Sequence, residues 1–262
     1  MPSPKSSRKN HKFKLEISKL LDFYDVRRTP DEDTGSPITA ITSLIGEDLV
    51  LGLLELHFKE SGRALQCPVE RKCTTGETTG PRLDGWIRTK KGDVFQTEVK
   101  NWCASAIGGV SVDGELEPRS ARRNQRRRYT WFEAAESNRE RYLNHKDVAA
   151  KVWKVLVPMK PPEDWPRRNA KPLLAFWSPV APPGAKKEKD LKPFFQVKTS
   201  EFRAIIGKSG LKLPKKRFST VWIFSASNYL RSLKRRETIE IPMQRVQGRL
   251  EELRKLGFPI NL

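Results

Sequence analysis

The stretch "RLDGWIRTKKGDVFQTEVKNW", Arg82 to Trp102, decides how this chain is read. Its halves, "RLDGWIRT" and "DVFQTEVKNW", alternate in polarity and are rich in β-formers, so each reads as a strand. Between them, "TKKGDV" suits a three-residue loop of Lys90, Lys91 and Gly92, with Gly92 in the left-handed conformation. Thr89 then faces Asp93, and counting back along antiparallel strands brings Asp84 opposite Glu98. Directly opposed side chains have Cβ atoms about 4.5–5.5 Å apart. Alternation places Arg82, Asp84 and Trp86 on one face with Gln96, Glu98 and Lys100, and Leu83, Ile87, Phe95 and Val99 on the other. The expectation is a half-buried hairpin with a core side and a charged side. Two opposed carboxylates repel unless something lies between them. A divalent cation that prefers oxygen ligands, Mg²⁺ or Mn²⁺, is a natural occupant, and Lys100 would stand beside it. The alternative is a solvated sheet face with scattered charge, where acid-x-lysine is common.

Working outward, Ser36-Pro37 reads as a helix start, Ser36 as N-cap and Pro37 in the first helical position. The helix runs through "ITAITSLIGEDLVLGLLELHFKE" and stops near Ser61-Gly62. At 100° per residue, Leu44, Val50, Leu51, Leu54 and Phe58 all lie within about 60° of Glu47, which puts Glu47 inside the apolar stripe. Asp48 and Glu55 fall on a neighbouring polar face with Lys59. A carboxylate among leucines is costly unless paired or coordinated. The other reading is a glutamate at the stripe margin that reaches water.

On the far side of the hairpin, a glycine-containing loop leads to a basic helix over about Arg119 to Asn144. In "RRNQRRRYTWF", Gln125 and Tyr129 are four apart and share a face, with Arg122 beside them. Arg122, Arg123, Arg126, Arg127 and Arg128 put positive charge nearly all round this helix, with no balancing acid in the turn. That pattern suits phosphate binding better than simple solvation. The whole chain points the same way, with 51 Lys and Arg against 31 Asp and Glu, a net charge of +20. A polyanion, most simply nucleic acid, is the expected partner. The competing reading of the charge is solubility alone. No apolar run approaches the roughly 18 residues of a membrane span, so no membrane association is expected. Three cysteines, Cys67, Cys73 and Cys103, form no tight pair, which argues against a disulfide scaffold or a four-cysteine metal site and fits a reducing cytoplasm. The first fourteen residues are basic, lack a secretory apolar stretch, and read as a mobile tail.

Elsewhere "LEISKLLDFY" suggests a short helix and "RRTPDEDTGSP" a linker. "ALQCPVERKC" is a weak strand, and "VWKVLVPM" is a continuous apolar run of the kind expected in a buried strand. "LLAFWSPV" and "TVWIFSAS" read as further strands, "SEFRAIIGKSG" as a short helix, and "MQRVQGRLEELRKLGF" as an amphipathic helix with Val246, Leu250, Leu253 and Leu256 near one face. This divides the chain into residues 1–35, a basic tail and linker, residues 36–160, a core, and residues 161–262, an α/β extension that completes the sheet or shapes a groove.

The order helix, three strands, helix, strand, with these residues on it, resembles the PD-(D/E)xK nuclease superfamily, the restriction-endonuclease-like fold. The family motif is a helical glutamate, a strand aspartate and an acid-x-lysine, matched by Glu47, Asp84 and Glu98-Val99-Lys100. The Gln125 and Tyr129 pair is similar to the motif of the RecB-type and lambda-exonuclease-like branch. Leu83 stands where the eponymous proline would be, which many members lack. The resemblance covers roughly residues 36–160. It implies an α/β fold with an α-β-β-β-α-β core, a mixed central sheet flanked by helices, and Mg²⁺-dependent hydrolysis of phosphodiesters, with Mn²⁺ as a substitute. Asp84 and Glu98 would bind the metal with the backbone carbonyl of Val99, and Glu47 would act through water or hold a second ion. Lys100 would orient the attacking water. Gln125 and Tyr129 would fix the scissile strand, with Arg122, Arg126, Arg127 and Arg128 on flanking phosphates. The cysteines do not match the iron–sulfur clamp of some RecB-type nucleases, so no cluster is expected. The implied substrate is DNA, with RNA left open, in defence against foreign DNA or in DNA processing. Two rivals stand beside this reading: a catalytically inactive nucleic-acid-binding module, and a basic subunit of a larger or homo-oligomeric complex.

Overall fold

A computed structural model describes residues 12–26, 37–67, 69, 83–100, 155–162, 165, 170–177, 180, 182, 190–199, 217–233 and 235–255. The element order is β1 (Lys12–Glu16), α1 (Ile17–Val26), α2 (Pro37–Glu60), β2 (Gly85–Arg88), β3 (Val94–Lys100), β4 (Ala170–Phe176), β5 (Phe194–Lys198), β6 (Thr220–Ser225), α3 (Ala226–Ser232), β7 (Thr238–Pro242) and α4 (Gln244–Lys255). Strands β2-β3-β4-β6-β5 form a five-stranded sheet, and β1 and β7 form a separate antiparallel ribbon. In the larger sheet β3, β4 and β6 run parallel, while β2 and β5 are antiparallel at the two edges. The fold is therefore mixed α/β, and the sheet continues across residue 160, since β4, β5 and β6 all come from beyond it.

The hairpin forms in the expected register. Thr89 N–H bonds the Asp93 carbonyl, Gly92 N–H bonds the Thr89 carbonyl, and Gly92 has φ 87°. The ladder pairs Gly85 with Thr97, Trp86 with Gln96, Ile87 with Phe95 and Arg88 with Val94. Helix α2 also begins at Pro37 as expected, and its end is chemically explicit. Gly62, at φ 72°, donates to the Lys59 carbonyl and Arg63 to the Phe58 carbonyl, the paired bonds of a Schellman motif.

Five local expectations are corrected. The hairpin is covered on both faces: Ile87, Phe95 and Val99 pack with α2, while Trp86 and Val94 pack with Leu174, Phe176 and Ile223 in a second apolar cluster. Leu83 joins that second cluster rather than the α2 side. Of the apolar run "VWKVLVPM", the described residues 155–159 form no strand, and Val155 and Leu156 are helical. They are nevertheless fully buried, and the strand next to β3 is β4. Residues 12–14 are not tail but part of β1, whose chain continues into a helix that buries Ile17 and Leu20. "ALQCPVERKC" contributes one bridge, Leu65 to Thr89, rather than a strand among its described residues.

Helix α2 lies between the sheet on one side and β7, α3 and α4 on others, with Leu49, Val50, Leu51, Leu53, Leu54 and Phe58 all buried. A helix covered on several sides tolerates apolar residues nearly all round. Its closest approach is at Gly52, where an added Cβ would lie 2.5 Å from the Pro242 carbonyl oxygen. Because that oxygen is backbone, Gly52→Ala forces α2 and β7 apart. The expected loss is about 2 kcal/mol of stability, typical of overpacking, measured by urea denaturation. A variant as stable as wild type would contradict the contact.

Candidate functional site

The observed ladder ends at Gly85–Thr97, one residue short of Asp84 and Glu98. Extending the ladder by one rung sets Asp84 opposite Glu98, just past the end of β2. Pairs alternate between hydrogen-bonded and non-hydrogen-bonded, and Thr89–Asp93 is bonded, so Asp84–Glu98 is of the closer, non-bonded kind. Because β2 begins at Gly85, no β2 residue pairs with Val99. The Asp84 carboxylate takes that place and accepts the Val99 N–H at 2.7 Å. Asp84 is half-buried, whereas Glu98 is only 2% exposed. Glu98 shares its sheet face with Gln96, and its register partner on β4 is the buried Leu174. Lys100 is the last residue of β3, paired in register with Phe176.

This pair lies at the carboxyl ends of the parallel strands β3, β4 and β6, the edge at which open α/β sheets place ligands. The sequence did not single out the polar cluster that organises the same edge. Ser225 ends β6 and caps α3, its side chain accepting from Asn228 N–H at 3.1 Å. The Ser227 hydroxyl donates to the Trp177 carbonyl, and the Asn228 amide donates to the carbonyls of Val180 and Lys192. The signal for it was present in "FSASN", where a serine precedes a short helix.

Glu47 and Asp48 fall differently from expectation. Glu47 is half-buried on α2, while Asp48, assigned to a polar flank, is 2% exposed. Asp48 accepts the Val246 N–H at 2.8 Å, in the first turn of α4. An anionic acceptor there satisfies a free helix N–H and meets the positive end of the helix dipole, which offsets the cost of burial. Glu55, one face away, is pushed up by burial against the lowering influence of Lys12 and Lys59. At the other end of α2, burial among aromatic rings pushes His57 down to about 4, so it is neutral near pH 7.

Asp84 thus lies one residue past β2 with its carboxylate on the Val99 N–H, and Glu98 and Lys100 are on β3. Among the described residues, no three His, Cys, Asp or Glu side chains gather closely enough to hold a metal ion, so Glu47 does not complete a trio. Gln125, Tyr129, Arg122, Arg126, Arg127 and Arg128 lie outside the described residues, as do Cys73 and Cys103. Among the described residues no helix is long and apolar enough to cross a membrane. Comparison with family models, with curated proteins and with solved structures finds no match.

Proposed function

We propose that the protein is a metal-dependent nuclease of the restriction-endonuclease-like type that hydrolyses phosphodiester bonds in DNA. The observation that carries this reading is the hairpin register, which sets Asp84 across from the buried Glu98 at the carboxyl end of the strand bearing Lys100. The order helix, antiparallel hairpin, then a parallel strand after a long connection supports the fold assignment.

The donor set fits a hard divalent cation. Asp84 and Glu98 supply carboxylate oxygens, and the Val99 carbonyl points to the same side as its N–H, where Asp84 stands. Glu47 is the more distant candidate. A bound Mg²⁺ would supply Lewis acidity and a more acidic water. The chain's own part is then clear. Asp84 is oriented by its bond to Val99 N–H, and Glu98 by the rigid central strand. Lys100 supplies positive charge beside the reacting phosphate, where it counts for more in the transition state than in the ground state. Gln125 and Tyr129 position the scissile strand, and Arg122, Arg126, Arg127 and Arg128 hold flanking phosphates. Purified protein incubated with linear and circular DNA, with Mg²⁺ and with EDTA, tests the proposal. Cleavage in Mg²⁺ alone is the expected result, and intact DNA in both sinks it. Circular DNA also separates internal from terminal cleavage.

One observation favours the binding-module alternative. Asp84 already has a structural task, closing the end of β3, and would retain it in a protein without turnover. Both readings share the arginine-rich segment around Arg122 and Arg126. Replacing Arg126, Arg127 and Arg128 with alanine should weaken DNA binding alike for all sequences and flatten its dependence on salt, since each phosphate contact releases counterions. An unchanged salt slope would mean those arginines are only solvated.

A further inference from the structure

We propose that the α2-side face of the sheet at its β5–β6 end is a stacking platform for the bases of a single-stranded nucleic acid, a proposal that rests on the polyanion-binding reading above. Strands β5 and β6 bury one face completely: Phe195, Val197, Val221 and Ile223 are interior. On the other face the last turns of α2 reach only part of the surface: His57 and Phe58 meet Phe194, with ring centroids 5.7 and 5.3 Å away. Phe194, Trp222 and Thr220 are only half-buried there, and Gln196 and Lys198 are exposed. Phe194 and Trp222 lie nearly parallel, ring centroids 4.6 Å apart with 13° between planes.

Both rings pack against the core on their inner side, and a cation borders them on the outer side. The Arg63 guanidinium lies 5.3 Å from the Phe194 centroid and 5.7 Å from that of Trp222. Its backbone is held by the Schellman bond to Phe58, so the cation is delivered to the aromatic pair by the end of α2. Lys171 and Lys198 carry further positive charge on the same face, and Lys171 is bridged to Asp93 at 2.7 Å. The exposed Gln196 pairs in register with Trp222 and donates to the Thr220 hydroxyl. Stacked aromatics, a guanidinium plane and neighbouring lysines are what an unpaired strand requires: ring faces for bases and cations for the backbone. A duplex hides its base faces and gains nothing from the rings. The excess of Arg63, Lys171 and Lys198 over Asp93 matches a polyanion and disfavours an apolar or acid-rich cover.

The platform lies on the α2 side of the sheet, away from the face that carries Glu98, so it can be tested without turnover. Binding of a short oligothymidylate and of a duplex of equal length is measured in EDTA. Trp222→Leu keeps apolar bulk but removes the ring. It should weaken oligothymidylate binding about tenfold while leaving duplex affinity and the salt slope unchanged, and Trp222→Phe should retain most of the affinity. Ultraviolet cross-linking of oligothymidylate to wild type should attach at Phe194 or Trp222, a readout that needs no variant. Undiminished binding by folded Trp222→Leu, equal losses on single strand and duplex, or cross-links confined elsewhere would each overturn the platform. Wild type that fails to bind the oligomer also overturns it, whereas the nuclease reading stands or falls on Mg²⁺-dependent cleavage.

Discussion

Asp84→Asn and Glu98→Gln should each abolish Mg²⁺-dependent cleavage of DNA while the protein stays folded, and Lys100→Ala should slow it by about two to three orders of magnitude. Asparagine at 84 keeps a side-chain oxygen able to accept the Val99 N–H, so the end of β3 remains closed. Only the negative charge is lost. Asp84→Ala loses both, and its melting temperature should fall where that of Asp84→Asn does not. That contrast separates the structural task of this residue from its chemical one. Lys100→Ala removes no carboxylate and only one of many positive charges, so DNA affinity should change little. Lost rate with retained binding identifies an interaction made chiefly in the transition state. Single-turnover cleavage and an equilibrium binding curve on the same DNA measure both. Near-normal cleavage by folded Asp84→Asn or Glu98→Gln would move the active site elsewhere. No cleavage by wild type, with Lys100→Ala binding as wild type does, would leave a binding module.

Gln96→Leu should destabilise the fold by about 3 kcal/mol, because it strands several buried polar groups at once. Gln96 shares its face with Glu98 and is fully buried. Its amide nitrogen donates to the carbonyls of Val155 at 2.6 Å and Val157 at 2.8 Å, and its oxygen accepts from Met159 N–H at 3.1 Å. One side chain thus fastens residues 155–159 across the back of the sheet. Leucine matches the volume but can bond none of the three. Each group left dry costs on the order of 1–3 kcal/mol, and partial exposure of Val157 and Met159 lets water recover some of it. Urea denaturation measures the loss. A change below about 1 kcal/mol would mean that other contacts hold this segment.

The hairpin and its register were legible in the sequence because everything that sets them is local. A glycine able to adopt positive φ fixes the loop, and a two-residue period then carries the register back to Asp84 and Glu98. Pro37 at the start of α2 and Gly62 at its end are local signals of the same kind. Burial from distant parts of the chain was not legible. The face of the hairpin bearing Gln96 and Glu98 read as its charged side because its cover comes from residues 155–159 and Trp165, far along the chain. Asp48 looked like a polar flank because its partner, the first turn of α4, lies 198 residues away. The apolar run around Val155 announced burial correctly but not conformation, since a short buried run suits a strand or a helical turn equally. Sequence alone determined the loop and register of the hairpin. Only the tertiary structure decided which carboxylates are dry, because dryness depends on what the rest of the chain lays over them.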